Sequence, residues 1–351
     1  MRRMVTSAAI ALVAIEALVA AQGKDVNQVL AEARAALGGD KIAAVKTLAS
    51  AGRTLRTGPN GNTTESEFEL SMALPDKYLM RTVLAAMGTM SIYRNSGFNG
   101  NQAIDEIDRP PNLSAGNMVI RIAGPGGTAI DPDKATPEQK AELDKMRLAS
   151  NKREFARLTL GMFASAFPVF PLEFTYAGEA ESPDGKADVI GVKGEGEFAA
   201  RLFVDQKTHL PLMLSWTDKE PMVMRMQTGG PGGPGGPGTS GTTFSVGGGG
   251  TQVIQKSGGG GTAGVDTKLQ QMSPEDRDKM MKDMEEQRKA AEANRRTVEY
   301  RIYYTDYRAV GDLKLPFMIQ RAIDGKTTEE MVFDSIKLNG KIDPKKFETA
   351  K

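Results

Sequence analysis

In this chain of 351 residues, 45 Lys and Arg stand against 44 Asp and Glu, a balance that gives no net field to draw it to nucleic acid or to an anionic membrane surface. The absence of cysteine excludes disulfides, thiolate metal centres and an acylated N-terminal cysteine, and a lone histidine excludes most zinc sites and His-based catalytic dyads. The length admits one large domain or two.

The first residues read MRRMVTSAAIALVAIEALVAAQGKD. Arg2 and Arg3 precede an apolar run that ends on Val19, Ala20 and Ala21, the three-part pattern of a secretory signal. This predicts a signal peptide over 1–21 and a periplasmic location for the rest. The run, interrupted by Glu16, falls short of the about 20 apolar residues a bilayer requires. No second run of this kind follows, so no transmembrane span is expected in the mature chain. Removing Arg2, Arg3 and Glu16 leaves that mature chain near neutrality.

Residues 25–37, DVNQVLAEARAAL, place Val26, Val29, Leu30, Ala33 and Leu37 at helical spacing, with Asp25 to cap the start and Gly38-Gly39 to end it. DKIAAVKTL at 40–48 predicts a further turn or two of helix. The period then becomes two. In TTESEFELSMAL at 63–74, Phe68, Leu70, Met72 and Leu74 fall on one side and Glu67, Glu69, Ser71 and Ala73 on the other, a strand with one wet face. PDKYLMRTV at 75–83 and two strands around Gly100-Asn101 within 90–104 extend this into a meander.

Residues 105–135 are rich in Pro, Gly and Asp and read as loop. Thr136 and Pro137 then start a helix, and Phe155, Leu158, Met162 and Ala166 continue its apolar stripe until Pro168 and Pro171. This helix is the candidate cover for the sheet. Strands are predicted again at 172–181, 186–192, 198–206 and 210–218, and, beyond a glycine-rich tract, at 298–310, 315–323 and 327–339.

The tract itself, GGPGGPGGPG at 229–238 with GGGG at 247–250 and 258–261, has much chain entropy to lose and little to bury. Three Gly-Gly-Pro triplets are too few for a collagen helix. The three strands beyond the tract carry too little apolar surface for their own core. The expected organisation is one domain over 22–228 and 298–351, interrupted by a disordered Gly/Pro-rich insertion at 229–272 and a charged surface helix at 273–297. Ser273 caps that helix, and Met280, Met281 and Met284 offer an adaptable apolar contact.

No catalytic constellation emerges, and the reading is not an enzyme. His209, in KTHLP, is a turn residue without a nucleophile beside it, and there is no G-x-S-x-G elbow. Gly325-Lys326-Thr327 lacks the glycine six residues before the lysine that a phosphate-binding loop needs, and no helix follows Gly194-Glu195-Gly196. The acids Asp105, Glu106, Asp108, Asp131 and Asp133 have the character of solvated loop residues, without calcium-loop spacing. No metal and no cofactor are expected.

A long antiparallel meander with few helices must still bury one face. The expected fold is mainly β (α+β), an unclosed antiparallel half-barrel with a helical lid. Its cavity would be lined by Phe68, Leu70, Met72, Tyr78, Met80, Leu202, Val204, Leu212, Leu214, Trp216, Tyr300 and Ile302, with Phe155, Leu158 and Met162 on the lid. Such a cavity suits a lipid or the acyl chains of a lipoprotein. The alternative is a non-enzymatic envelope scaffold whose insertion and charged helix bind a partner protein.

Seven segments, LGGDKIAAVKTLASAGR, PDKYLMRT, GFNGNQAI, DGKADVIGV, LFVDQKTHLPLMLSW, YRAVGDLKLPFMI and KLNGKIDPKKF, in this order resemble the bacterial outer-membrane lipoprotein-sorting-like family, related to the periplasmic carriers of the Lol system. The similarity covers most of 25–228 and 298–349. It implies an unclosed half-barrel with helices as a lid and a concave face that shields acyl chains. The insertion at 229–296 departs from the family pattern. Arg53 and Arg56 both stand near the first strands, where some carriers place a basic residue.

Overall fold

The computed structural model describes residues 24–58, 61–87, 90–108, 118–123, 129–130, 135–220, 243–245, 251–255, 286 and 293–349. The chain enters through α1 (Val26–Leu37), capped by the Asp25 carboxylate, which accepts from Asn27 N at 2.9 Å. Val29, Leu30, Ala33 and Leu37 form its buried stripe. Gly38 ends the helix at φ 137°, so close to Leu313 that a Cβ there would meet its side chain at 2.3 Å. The expected extra helical turns are a short 3-10 stretch, Gly39–Ala44.

A first meander follows: β1 (Thr47–Thr57), β2 (Thr63–Ala73), β3 (Lys77–Met87), β4 (Met90–Asn99) and β5 (Gln102–Asp108). Two short strands, β6 (Met118–Ala123) and β7 (Ala129–Ile130), precede the long helix α2 (Pro137–Phe163). Thr136 caps α2 in a reciprocal box with Gln139, and Pro137 occupies its first turn as the sequence predicts. The helix stops before the prolines, at Ala164, which takes the left-handed conformation at φ 46°. Ala166 of the predicted stripe lies beyond its end.

A second meander, β8 (Leu172–Ser182), β9 (Gly185–Gly194), β10 (Ala199–Asp205) and β11 (Pro211–Lys219), is followed by the short strands β12 (Thr243–Ser245) and β13 (Thr251–Gln255). The chain ends with β14 (Thr297–Val310), β15 (Leu313–Ile323) and β16 (Lys326–Leu338).

The main sheet has twelve antiparallel strands in the order β5-β4-β3-β2-β1-β16-β15-β14-β11-β10-β9-β8. The three strands beyond the glycine tract therefore stand in its middle, with β16 against β1 and β14 against β11. They join two meanders that would otherwise present open edges to each other. The sheet does not close: β5 and β8 are its two ends.

Alternation gives the sheet one face towards the helices and one away from them. On the outer face, a turn at Pro344–Phe347 lays Phe347 against Leu79 and Ile104, and Asn99 Nδ2 donates to the Phe347 carbonyl at 3.2 Å. A smaller outer cluster joins Met213, Tyr303 and Ala322. The main core lies on the inner face, beneath α1 and α2.

Two expectations need correction. Residues 105–135 are not all loop, since β5 runs to Asp108 and β6 and β7 are strands. Within the expected insertion, β12 and β13 are strands, and β13 pairs with β6 from Gln252↔Arg121 to Ile254↔Val119 in a separate four-stranded sheet. The ladder supplies the backbone bonds that a glycine-rich composition by itself does not reveal. Of the expected charged helix, Glu286 and Ala293 are helical, Thr297 already belongs to β14, and most of the rest lies outside the described residues, as do 1–21.

Candidate functional site

The inner face is an apolar floor covered by α1 and the long helix α2. Phe68, Leu70, Met72, Tyr78, Leu202, Val204, Leu214 and Ile302 are at most 2% exposed, and Met80 and Trp216 pack partly buried at its margin. Phe155, Leu158 and Met162 of α2 descend into the same cluster. Phe155 is central: its ring lies 6.0 Å from Tyr78, 5.4 Å from Phe98 and 5.5 Å from Phe167. Among the described residues the predicted lining thus meets the predicted lid directly. A groove of about 480 Å³ opens elsewhere, between α1, the 3-10 stretch and residues 165–167, with Ala31, Ile42, Val45 and Phe167 among its walls.

Leu212 does not belong to the lining; it is 38% exposed. The pairing of β10 with β11 shifts from Phe203↔Met213 to Val204↔Pro211, which leaves Leu212 as the extra residue of a bulge and turns it away from the floor. Tyr300 lies at the rim, its ring stacked on Trp216 at 5.3 Å and 9° and its hydroxyl donating to the Lys219 carbonyl at 2.9 Å.

Above the apolar floor runs a polar band that sequence patterning did not identify. Arg56 on β1 meets Glu329 on β16 at 2.5 Å. Glu329 meets Arg321 on β15 at 3.2 Å, and Arg321 forks onto Glu154 of α2 through both terminal nitrogens. Glu154 lies 3.6 Å from Arg157, whose guanidinium covers the Trp216 ring at 4.1 Å. The series counts three guanidiniums and two carboxylates. Burial pushes the Glu154 carboxyl up, but Arg321 and Arg157 outweigh it and hold the group below its ordinary range. Burial lowers Arg157, and its Nε makes no hydrogen bond among the described residues. Arg53 instead points outward to Glu65 and Asp334, so of the two basic residues near the first strands only Arg56 joins the interior.

The other half of α2 is tied to the edge strands by polar contacts. Asp105, expected as a solvated loop acid, is a β5 residue with a side chain 4% exposed, held by Arg94 at 2.7 Å and Arg147 of α2 at 2.8 Å. Two guanidiniums explain how a carboxylate can be buried there. Asn151 Nδ2 donates to the Gly97 carbonyl at 2.8 Å. Asp108 is exposed beside Arg81, and Asp131 and Asp133 lie outside the described residues. His209 sits in its predicted turn at φ 57°, 3.5 Å from Glu32.

Two β14 tyrosines fasten the apolar half of α2. Tyr304 donates to the Arg157 carbonyl at 2.6 Å, and Tyr307 to the Gly161 carbonyl at 3.1 Å and the Pro211 carbonyl at 2.7 Å. Residues three apart on a regular strand face opposite ways. Asp306, at φ 53°, interrupts the extended backbone between Tyr304 and Tyr307 while the β14–β15 register stays the same on both sides, from Thr305↔Met318 to Tyr307↔Pro316, and both hydroxyls reach α2.

No protein-family pattern and no curated protein matches the chain. Among solved structures it is similar to an outer membrane lipoprotein-sorting protein domain from Vibrio parahaemolyticus, at 7% identity and TM-score 0.40 over 91% of this chain and 94% of that one. It is also similar to a LolA superfamily protein from Nitrosomonas europaea, at 8% identity and TM-score 0.42 over 92% and 97%. No helix among the described residues is long and apolar enough to cross a membrane.

Proposed function

We propose that this chain is a non-enzymatic periplasmic carrier, and that α2 yields its place on the inner face to an acyl chain of a lipid or lipoprotein. The observation that supports this reading is that the apolar floor of an unclosed sheet is covered by helices, α2 foremost, rather than by a second sheet. Fully burying Phe155, Leu158 and Met162 is worth about 1.5–3 kcal/mol each. An acyl chain contributes about 0.8 kcal/mol per methylene, so roughly six to eleven methylenes offset the loss of all three. Counting the equally buried Leu143, Leu160 and Phe163 of α2 raises this to roughly 11 to 22 methylenes, an exchange close enough to balance for loading to be reversible, as a carrier requires.

The test is native mass spectrometry of the exported protein, followed by lipid extraction of the same sample. A bound mass that extracts as phospholipid, fatty acid or acylated peptide supports the reading. An empty protein that also takes up no fluorescent fatty acid would point to a permanently filled core and to the scaffold alternative.

A further inference from the structure

Arg321 has two acceptors on the inner face, and only one belongs to the sheet. Glu329 of β16 stays with it at 3.2 Å and is shared with Arg56, whereas Glu154 rides on α2. If α2 leaves the floor, as the carrier reading requires, Glu154 and Arg157 leave with it. Arg56 and Arg321 then face a single carboxylate. Arg321, with a side chain only 23% exposed, loses the carboxylate onto which it forks. Beside an acyl chain that takes the place of the helix an uncompensated guanidinium is costly, and its fork geometry matches a carboxylate or a phosphate. Arg321 also lies two residues along β15 from Ile319, on the apolar floor. A chain on the floor would therefore carry its head to the guanidinium.

We propose that Glu154 holds the place of an anionic group on the ligand, a carboxylate or phosphate, and that Arg321, backed by Arg56, binds this group when α2 leaves. The inference rests on the carrier reading and adds the chemical class of the cargo's polar end. Arg321 selects amphiphiles with a negative head over neutral ones of equal chain length.

The experiment compares oleate with oleyl alcohol, which share a chain and differ in charge, binding to the exported full-length protein. It repeats the comparison on Arg321→Gln and on the double variant E154Q/R321Q. The double variant removes one charge of each sign and leaves Arg56 paired with Glu329, while Arg157 loses the Glu154 carboxylate at 3.6 Å, so circular dichroism and the melting temperature check the fold. Wild type should bind oleate about tenfold tighter than oleyl alcohol, the worth of one charge-assisted hydrogen bond. The ratio should fall towards one in both variants, while binding of the alcohol persists. Equal wild-type affinities for the two probes would overturn the anion site and leave the carrier reading intact. A preference that survives in the double variant would overturn the role of Arg321. Binding of neither probe removes the carrier reading and the anion site together. Inorganic phosphate that displaces oleate but not oleyl alcohol marks the free anion as a ligand in its own right; failure to displace either marks the head group of an amphiphile. Displacement supports an anion site directly, and its failure is consistent with one only where the preference for oleate is also seen.

Discussion

The ring of Tyr304 occupies the space a side chain would need at position 161: a Cβ added to Gly161 would lie 2.1 Å from its Cε1 atom and 2.2 Å from its Cδ1 atom. The tyrosine is 1% exposed and tied through its hydroxyl to the same helix, so it has little freedom to retreat. Gly161→Ala should therefore push α2 away from β14, at an overpacking cost of about 1–3 kcal/mol. The expected result is a lower melting temperature together with faster uptake of a fluorescent fatty acid. A variant that melts like wild type and takes up the probe no faster would show that α2 is not held at this distance.

Buried tyrosines also set the alkaline limit of stability. Burial raises Tyr78, Tyr304 and Tyr307 above the ordinary phenol value of 10.0. Above that pH the unfolded chain releases phenolic protons that the folded chain retains, so stability falls as pH rises. It is fully present below about pH 10, and each such tyrosine then removes about 1.4 kcal/mol per pH unit until its folded-state value is reached. Urea unfolding measured between pH 8 and 11.5 should show this decline, and Tyr304→Phe should make it shallower. Equal slopes in the two proteins would mean that Tyr304 ionises as readily folded as unfolded.

The same tyrosines show where sequence reading reaches its limit. Period-two alternation placed Phe68, Leu70 and Met72 on one buried face because β2 is regular there, and the Thr136-Pro137 start of α2 is written in its capping chemistry. Alternation fails wherever the backbone leaves the regular strand conformation, by a positive φ or by an extra residue. Asp306 turns Tyr307 to the same side as Tyr304, and the bulge at Leu212 sends a leucine out of the floor. The polar band was missed for another reason. Arg56, Glu154, Arg321 and Glu329 each have the composition of a wet face, and only the fold brings together residues that lie as many as 273 positions apart. Asp105 was misread likewise, because its two arginine partners come from other elements.

Asp188 anchors the start of the described chain. Its carboxylate is 5% exposed and accepts from Lys24 at 2.8 Å, Tyr176 at 3.1 Å and Gln206 at 3.0 Å, joining the segment before α1 to β8, β9 and the β10–β11 turn. Asp188→Ala leaves three donors without their acceptor and should cost about 1–3 kcal/mol, read as a lower urea midpoint. Lys24 is 47% exposed, so Lys24→Ala should cost less than Asp188→Ala, within the about 0–1 kcal/mol of exposed pairs. If the two variants lose equal stability, the lysine rather than the tyrosine and glutamine carries the anchor.

Trp216 gives a direct optical test of whether α2 moves. It is the single tryptophan of the chain, stacked on Tyr300 from the sheet and covered at 4.1 Å by Arg157 from the helix. The first contact is internal to the sheet and survives any displacement of α2; the second does not. A guanidinium over the indole face is an electrostatic contact worth about 0.5–2 kcal/mol, and its removal changes the field that the excited indole senses. Loading the protein with oleate should therefore shift and rescale the tryptophan emission. In Arg157→Gln the unloaded spectrum should already lie near the loaded one, with a reduced further change on loading. Stoichiometric binding of oleate with unaltered wild-type emission would mean that Arg157 stays on Trp216. The acyl chain would then have to lie outside the floor, with the groove between α1 and residues 165–167 as the place to look, and α2 would be a fixed part of the core.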